Sequence, residues 1–424
     1  MANDRFGPID FDRFHQEELP ARLARRTKIF TAADSRAIRP IAFRLEDGRS
    51  YTYAPTQSGP AVSGPLASGP AGGDGLTVTP GDREAHTVVD LTHEDWCSFA
   101  WELRSCFALF YADRLAFPRG GFGSLARWEP ALRVAFDGQP IYDLDDPPEV
   151  TDAAGDPLDL SRRFTVDDLE HGDEAADFLS RAGFLHLTGV VESDELARMS
   201  ADVAAAVARA RPEDKRSWWT TVGGVDTCNR VNYLNEQSRY IAGLGADERF
   251  RLIGALGGPD LCDAPDRLDG NSVVIKVPGA TTGLADLPWH RDCGMGGHPV
   301  KCPMLNIGIQ LDAATPAAGQ LLMIAGSHRG ISRLPSPEQT EGLPVVALTT
   351  EPGDVTVHFG HTLHAAPPPG DLDAAGRRAL YLSYVPPLTF EMIGPGQGYN
   401  DVLFTRSAGH VRHVDELDAA SPAI

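Results

Sequence analysis

The chain has 424 residues, 42% of them hydrophobic, and a formal net charge of −21 from 59 acidic and 38 basic side chains. That length is comfortable for two domains with real cores. The charge argues against nucleic acid and anionic membrane surfaces as partners, because both call for basic patches.

The start, Met1-Ala2-Asn3-Asp4-Arg5-Phe6, lacks the basic and apolar blocks of a signal peptide. No run approaches the roughly 18 apolar residues of a membrane span. Six cysteines (97, 106, 228, 262, 293 and 302) show no C-x-x-C pair, so they read as free thiols of a reducing cytoplasm. Residues 11–30 have helical spacing. Ile41–Leu45 and Arg49–Tyr53 read as a hairpin turning at Asp47-Gly48. Ser-Gly-Pro then recurs at 58, 63 and 68, and the stretch 55–75 is expected to be a flexible insert. Strand patterns return at 76–79 and 86–91. Thr92 is placed to cap a helix, with Asp95 at the capping-box position, and that helix carries Trp96, Phe99, Ala100, Leu103, Phe107 and Phe110 on one face. A turn at Pro118–Gly123 and a short helix from Ser124 complete the unit. The order of strands, aromatic helix and glycine-rich turn resembles the sterol carrier protein type of lipid-binding domain. The resemblance implies an α+β domain over residues 1–145, in which the aromatic face would line a lipid or substrate tunnel. Packing of the same rings as an ordinary core is the alternative.

The acidic, proline-bearing stretch Asp143–Glu149 reads as a linker. Beyond it, residues 165–180 are expected to be helical, 183–191 to form a strand, and Ser193 to cap the next helix. Trp218-Trp219 and Asn229–Tyr233 are candidates for substrate contact or for packing. His290 and Asp292 stand two residues apart. On a strand both side chains point to one face, which would set an imidazole and a carboxylate side by side as two ligands of a three-ligand iron face. The stretch 352–364 offers His358, His361 and His364 for the third, and a guanidinium follows at Arg377-Arg378.

The ordered pieces are Trp289-His290-Arg291-Asp292, Gly319–His328, Gly353-Asp354 through Leu363-His364, and Arg377-Arg378-Ala379-Leu380. Together they resemble the phytanoyl-CoA dioxygenase family of iron(II)/2-oxoglutarate oxygenases. The resemblance covers about residues 165–390. It implies a double-stranded β-helix (jelly roll) with flanking helices in a domain over 155–424, with Fe(II), 2-oxoglutarate and O2 as cofactors. It selects His364 as the distal ligand, with His361 second, and Arg377 ahead of Arg378 for the far carboxylate of 2-oxoglutarate. One departure is Ala365-Ala366-Pro367-Pro368-Pro369, where the family has a short Ser/Gly-x-x-Asn run.

The chemistry follows from the residue types. Two imidazoles and one carboxylate leave open positions on iron for a 2-oxo acid and dioxygen. The far carboxylate of the acid suits arginine's planar fork. Asn306 and Lys276 could hydrogen-bond the same cofactor or satisfy backbone groups, and Gln310 shares a strand face with Asn306. Because Asp292 leaves no place for halide, hydroxylation of a C–H bond is expected. The substrate is expected to be a small hydrophobic or acyl-linked molecule, with succinate and CO2 released. Desaturation, epimerisation or rearrangement at the same metal is the alternative, and a non-catalytic lipid-binding protein is a third reading. His328 and Cys293 read as structural, and His298, in a glycine-rich loop, is a lesser candidate for substrate contact.

Overall fold

A computed structural model describes residues 6–56, 75–171, 173–265, 268–280, 282–295, 298–300, 302–370, 376–393, 398–407 and 409–419. The Ser-Gly-Pro repeats at 58–70 lie outside them. The chain divides into two compact units: Met1–Pro147 with Arg329–Arg333 and Val414–Ile424, and Pro148–His328 with Leu334–His413.

Among the described residues, the first unit carries five strands: β1 (Ile41–Leu45), β2 (Ser50–Pro55), β3 (Leu76–Pro80), β4 (Thr87–Leu91) and β5 (Ala116–Arg119). They lie in the order β3-β2-β1-β4-β5. The hairpin turns as its Asp-Gly pair requires, with Gly48 at φ 87° and Ile41 opposite Tyr53. Helical backbone over 11–23 includes one wide turn at Phe14–Glu18.

Thr92 caps its helix as expected, accepting the Asp95 N–H at 3.1 Å. That helix ends at Ala100, and a second one, Cys106–Tyr111, opens on Ser105. The single aromatic helix expected from the spacing is therefore two. Its break is stabilised by side chains: buried Arg133 donates to the carbonyls of Phe99 (2.5 Å) and Arg104 (3.1 Å), and Glu129 accepts the Cys106 N–H at 3.0 Å. Backbone groups that another helical turn would have satisfied find partners there instead. The helix expected from Ser124 begins at Phe122 and runs on through Pro130 to Asp137. Trp96 packs edge-to-face against Phe11 (4.7 Å) and Phe14 (5.2 Å), while Phe99 lies against Phe43. With Trp96, Phe99 and Phe110 at most 3% exposed, ordinary core packing accounts for these rings.

Twelve strands make up the second unit among the described residues: β6 (Phe184–Leu187), β7 (Ser217–Val222), β8 (Val225–Val231), β9 (Cys262–Asp263), β10 (Ser272–Lys276), β11 (Leu287–His290), β12 (Leu305–Gln310), β13 (Leu321–Ile324), β14 (Val345–Leu348), β15 (Val355–Phe359), β16 (His364–Ala366) and β17 (Arg377–Val385). The larger sheet has the order β6-β15-β12-β17-β10-β8-β7, with β9 paired to β17, and the smaller has β11-β16-β13-β14. Every ladder between these strands is antiparallel. From β10 to β17 the chain passes back and forth between the sheets, which is the winding expected of a double-stranded β-helix.

Alternation sorts the faces of the larger sheet. Leu305, Ile307 and Ile309 join a core with Val355, Val357, Leu380 and Leu382 and with helix residues such as Phe178 and Met199. Asn306, Gly308 and Gln310 face the other way. Two helices, Val166–His171 and Glu174–Ala182, replace the one expected over 165–180. The cap expected at Ser193 falls on Glu192, which is extended (φ −76°, ψ 161°) and forms a reciprocal capping box with Glu195. Asp354 ties β15 to the segment after β6. It accepts from His186 Nε2 (2.9 Å), Gly189 N (3.1 Å) and Glu351 N (2.9 Å). Gly353 before it sits at φ 93°, where any Cβ would press on the Val191 carbonyl.

Candidate functional site

His290 is the last residue of β11, and Asp292 follows just beyond it, its N–H bonded to the Gly360 carbonyl at 2.8 Å. β16 pairs with β11 so that His364 stands opposite His290. His290 Nε2 lies 3.6 Å from Asp292 Oδ1, and His364 Nε2 lies 3.5 Å from Asp292 Oδ2. The donor atoms of the three residues fall within 4.8 Å of one another. Each imidazole turns its Nδ1 to a backbone carbonyl, His290 to Pro288 (2.7 Å) and His364 to Thr362 (2.9 Å). This frees both Nε2 atoms for a metal and fixes the ring planes.

The electrostatics favour a ligand set. Burial, reinforced by His364, brings His290 down to about 4, and burial likewise brings His364 to about 4. Both are therefore neutral donors near neutral pH. Burial alone would raise the Asp292 carboxyl, but His364, His358 and His290 outweigh it and hold it well below its usual range. Two neutral imidazoles and one carboxylate suit a divalent first-row metal.

Around this triad lie residues that sequence reasoning assigned otherwise or missed. Asn306 Nδ2 donates to Asp292 Oδ2 at 2.6 Å, and its Oδ1 accepts from Ser383 at 2.9 Å. Its amide is thus engaged in orienting a carboxylate. His358 Nε2 is 3.4 Å from the same Asp292 oxygen, and its ring is 4.4 Å from that of His364. The register places it directly opposite Asn306. The signal was its even spacing from Thr356 and Asp354, but the partner strand could not be read from sequence. His361, the alternative distal ligand, turns its Nδ1 to the Val300 carbonyl at 2.9 Å and is not among the converging donors. His328 bonds the Ser180 carbonyl and stacks on Phe359.

Arg377 and Lys276 stand opposite each other on β17 and β10 and are 1% and 2% exposed. Arg377 donates through Nε to the Gly319 carbonyl at 2.8 Å, and Tyr381 is near enough to act on its charge. Tyr381 lies over Gly308, where a Cβ would come within 2.9 Å of its ring. Lys276 Nζ donates to the carbonyls of Ala285 (2.7 Å) and Ala366. Burial, with the charge of Arg377 adding to it, brings Lys276 down to about 7. Among the described residues no carboxylate forms an ion pair with either cation, whereas Arg378 is held twice by Asp312, at 2.7 and 2.8 Å.

A cleft opens on the triad. Val274, Leu287, Met304, Leu321 and Ala366 supply apolar wall, and Arg230, Asp269, Ser272, Tyr381, Ser383 and Tyr399 supply polar wall. Arg230 is ion-paired with Asp269 and rests on Trp218 at 4.5 Å. Trp218 is thus packing beneath the cleft, while Arg230 reaches it. Trp219 donates to the Ser217 hydroxyl at 2.7 Å.

No curated protein matches the chain. Among solved structures, AviO1 from Streptomyces viridochromogenes Tue57 is 26% identical, with 50% of this chain and 94% of that one covered at a TM-score of 0.42. EctD from S. alaskensis, crystallised with 2-oxoglutarate and 5-hydroxyectoine, is 21% identical over 58% and 86% of the two chains, with a TM-score of 0.44. The epimerase SnoN in complex with Fe3+, alpha ketoglutarate and nogalamycin RO is 20% identical over 51% and 83%, with a TM-score of 0.40. Residues 179–369, which include His290, Asp292 and His364, match the phytanoyl-CoA dioxygenase (PhyH) family, and the chain carries a domain of that family over this span.

Proposed function

We propose that this protein is an iron(II)- and 2-oxoglutarate-dependent dioxygenase that hydroxylates a C–H bond of a small molecule. The observation that carries the reading is the convergence of His290, Asp292 and His364 in one domain with two buried cations, Arg377 and Lys276, that lack a carboxylate partner among the described residues. A buried cation without a counter-ion is costly, and the far carboxylate of a 2-oxo diacid would neutralise it.

His290, Asp292 and His364 would hold the metal. Bound iron(II) would supply the activation of dioxygen, coupled to conversion of 2-oxoglutarate to succinate and CO2, that breaks the C–H bond. The residues of the chain do the placing. Arg377 offers its fork to the far carboxylate, and the bond from its Nε to the Gly319 carbonyl sets the plane of that fork. Lys276 adds positive charge alongside. Asn306 holds the Asp292 carboxylate in one rotamer. The apolar wall excludes water from the reacting centre and fits a hydrophobic or acyl portion of the substrate, while Arg230, Asp269 and Tyr399 offer polar contacts to the rest.

Lipid capture is not assigned to the first unit, because its aromatic rings are accounted for by packing against one another. The test is succinate formation, followed by mass spectrometry, when the purified protein is given iron(II), 2-oxoglutarate, oxygen and a panel of acyl, sterol, terpenoid and carrier-bound candidates. Succinate made by the wild type and not by Asp292→Ala supports the proposal. Absence of succinate above the metal-only control across the panel, including uncoupled turnover without substrate, would contradict it.

A further inference from the structure

The loop between β11 and β12 holds a second cluster of metal-ligating side chains, separate from the triad. Cys293, His298 and Cys302 are 5%, 1% and 7% exposed. Cys293 Sγ and Cys302 Sγ are 3.3 Å apart, and His298 Nδ1 is 3.8 Å from Cys302 Sγ. One ligand atom from each lies within 4.8 Å of the others. For His298, this sulfur is the only polar partner among the described residues, and 3.8 Å is long for a hydrogen bond. A buried imidazole aimed at two thiols is unexplained by packing alone. Around the thiols the lining is apolar: Ala264, Leu268, Met304, Val385 and Ile393.

We infer that Cys293, His298 and Cys302 form a zinc site. Zn–S bonds of about 2.3 Å and Zn–N bonds of about 2.0 Å at tetrahedral angles put two sulfurs ~3.8 Å apart and a sulfur and a nitrogen ~3.5 Å apart. The observed separations reach those values with shifts of about half an ångström. Two thiolates and an imidazole are a soft donor set that selects zinc over the hard cations. On binding, each thiol loses its proton to solvent, so two thiolates balance the dication and the buried cluster stays neutral. A disulfide would account for the two cysteines but leave His298 without a purpose. The spacing, four residues between Cys293 and His298 and three between His298 and Cys302, lets one short loop close on a single ion. That loop starts beside Asp292 and ends beside Met304, and His298 lines the cleft. The zinc would therefore hold one wall of the active site in place.

The test uses full-length protein purified under reducing conditions, with metals counted by mass spectrometry and with cobalt(II) exchanged into the site. We expect one equivalent of zinc per chain, and a near-ultraviolet sulfur-to-cobalt absorption after exchange. Both should persist in His364→Ala, which separates this site from the iron centre whether or not that centre is as proposed. Both should be lost in Cys302→Ser and in His298→Ala. If those variants fail to fold, the wild-type cobalt spectrum carries the test by itself. Wild-type protein that takes up no zinc and shows no sulfur-to-cobalt absorption would overturn the inference. So would an intact mass showing Cys293 and Cys302 joined as a disulfide under the same reducing conditions.

Discussion

At the scale of single residues, Asp292 is the hinge of the account. One of its oxygens is approached by Asn306 at 2.6 Å, His358 at 3.4 Å and His364 at 3.5 Å. Removing the amide in Asn306→Ala frees that carboxylate to rotate, so apparent iron(II) affinity should fall about 10- to 100-fold. A titration of 2-oxoglutarate decarboxylation against iron(II) measures this, and an unchanged midpoint would deny Asn306 its positioning role. Arg377→Lys keeps the charge and loses the fork. The affinity for 2-oxoglutarate should then drop at least about tenfold, or about 1.4 kcal/mol, while Arg378→Lys, which disturbs only a pair with Asp312, should leave it unchanged. The reverse result would move the carboxylate site one residue along β17. The nearness of His290 to Asp292 was legible from their spacing, and the approach of His364 to them from the order of motifs. Asn306 and His358 were not legible in their observed roles. What unites them is the β12–β15 register, a long-range pairing that leaves no local mark in either strand.

At the scale of elements, the alternation of β12 was readable and correctly put Asn306 and Gln310 on one face. Helix ends were less so. Thr92 capped as expected, but its helix broke at Ala100, where Arg133, some thirty residues away, satisfies the carbonyls of Phe99 and Arg104. A distant buried arginine overrides local spacing, and no local rule anticipates it. The entrance helix Ser193–Arg209 is pinned by Glu195, whose carboxylate takes two hydrogen bonds of 2.8 Å from Arg249. Those bonds, followed by the Glu192 N–H, hold Glu195 down at about 2. Because this value is depressed below the ordinary 4.5, the stabilisation is complete above about pH 4.5 and is lost as pH falls towards 2. The gap in melting temperature between wild type and Arg249→Ala should therefore be largest at neutral pH and shrink between pH 5 and pH 3. A constant gap would mean that the pair contributes through packing alone. Since the pair is about one-quarter exposed, the effect should be modest.

At the scale of the whole molecule, the net charge is −21, and none of the described helices is long and apolar enough to cross a membrane. The sequence left a tunnel and ordinary core packing both open for the aromatics from Trp96 to Phe110. In the structure Trp96, Phe99, Phe14 and Phe136 interlock edge-to-face, a distinction that residue type and spacing cannot make. If packing is their purpose, Phe99→Ala should cost about 3–5 kcal/mol of stability, seen as a lower melting temperature. It should leave the affinity of the full-length protein for a fluorescent fatty-acyl probe unchanged. A stable Phe99→Ala protein with altered probe binding would restore the tunnel.

The most direct measurement is an anaerobic titration of the full-length protein with iron(II) and 2-oxoglutarate, watched in the visible range. A keto acid chelating iron on a two-histidine, one-carboxylate face gives a weak charge-transfer band. The band should appear in the wild type and in His361→Ala, and be lost in His290→Ala, Asp292→Ala and His364→Ala, since removing one of three ligands breaks the site. A wild type with no band, or a band that survives His364→Ala and disappears in His361→Ala, would contradict it.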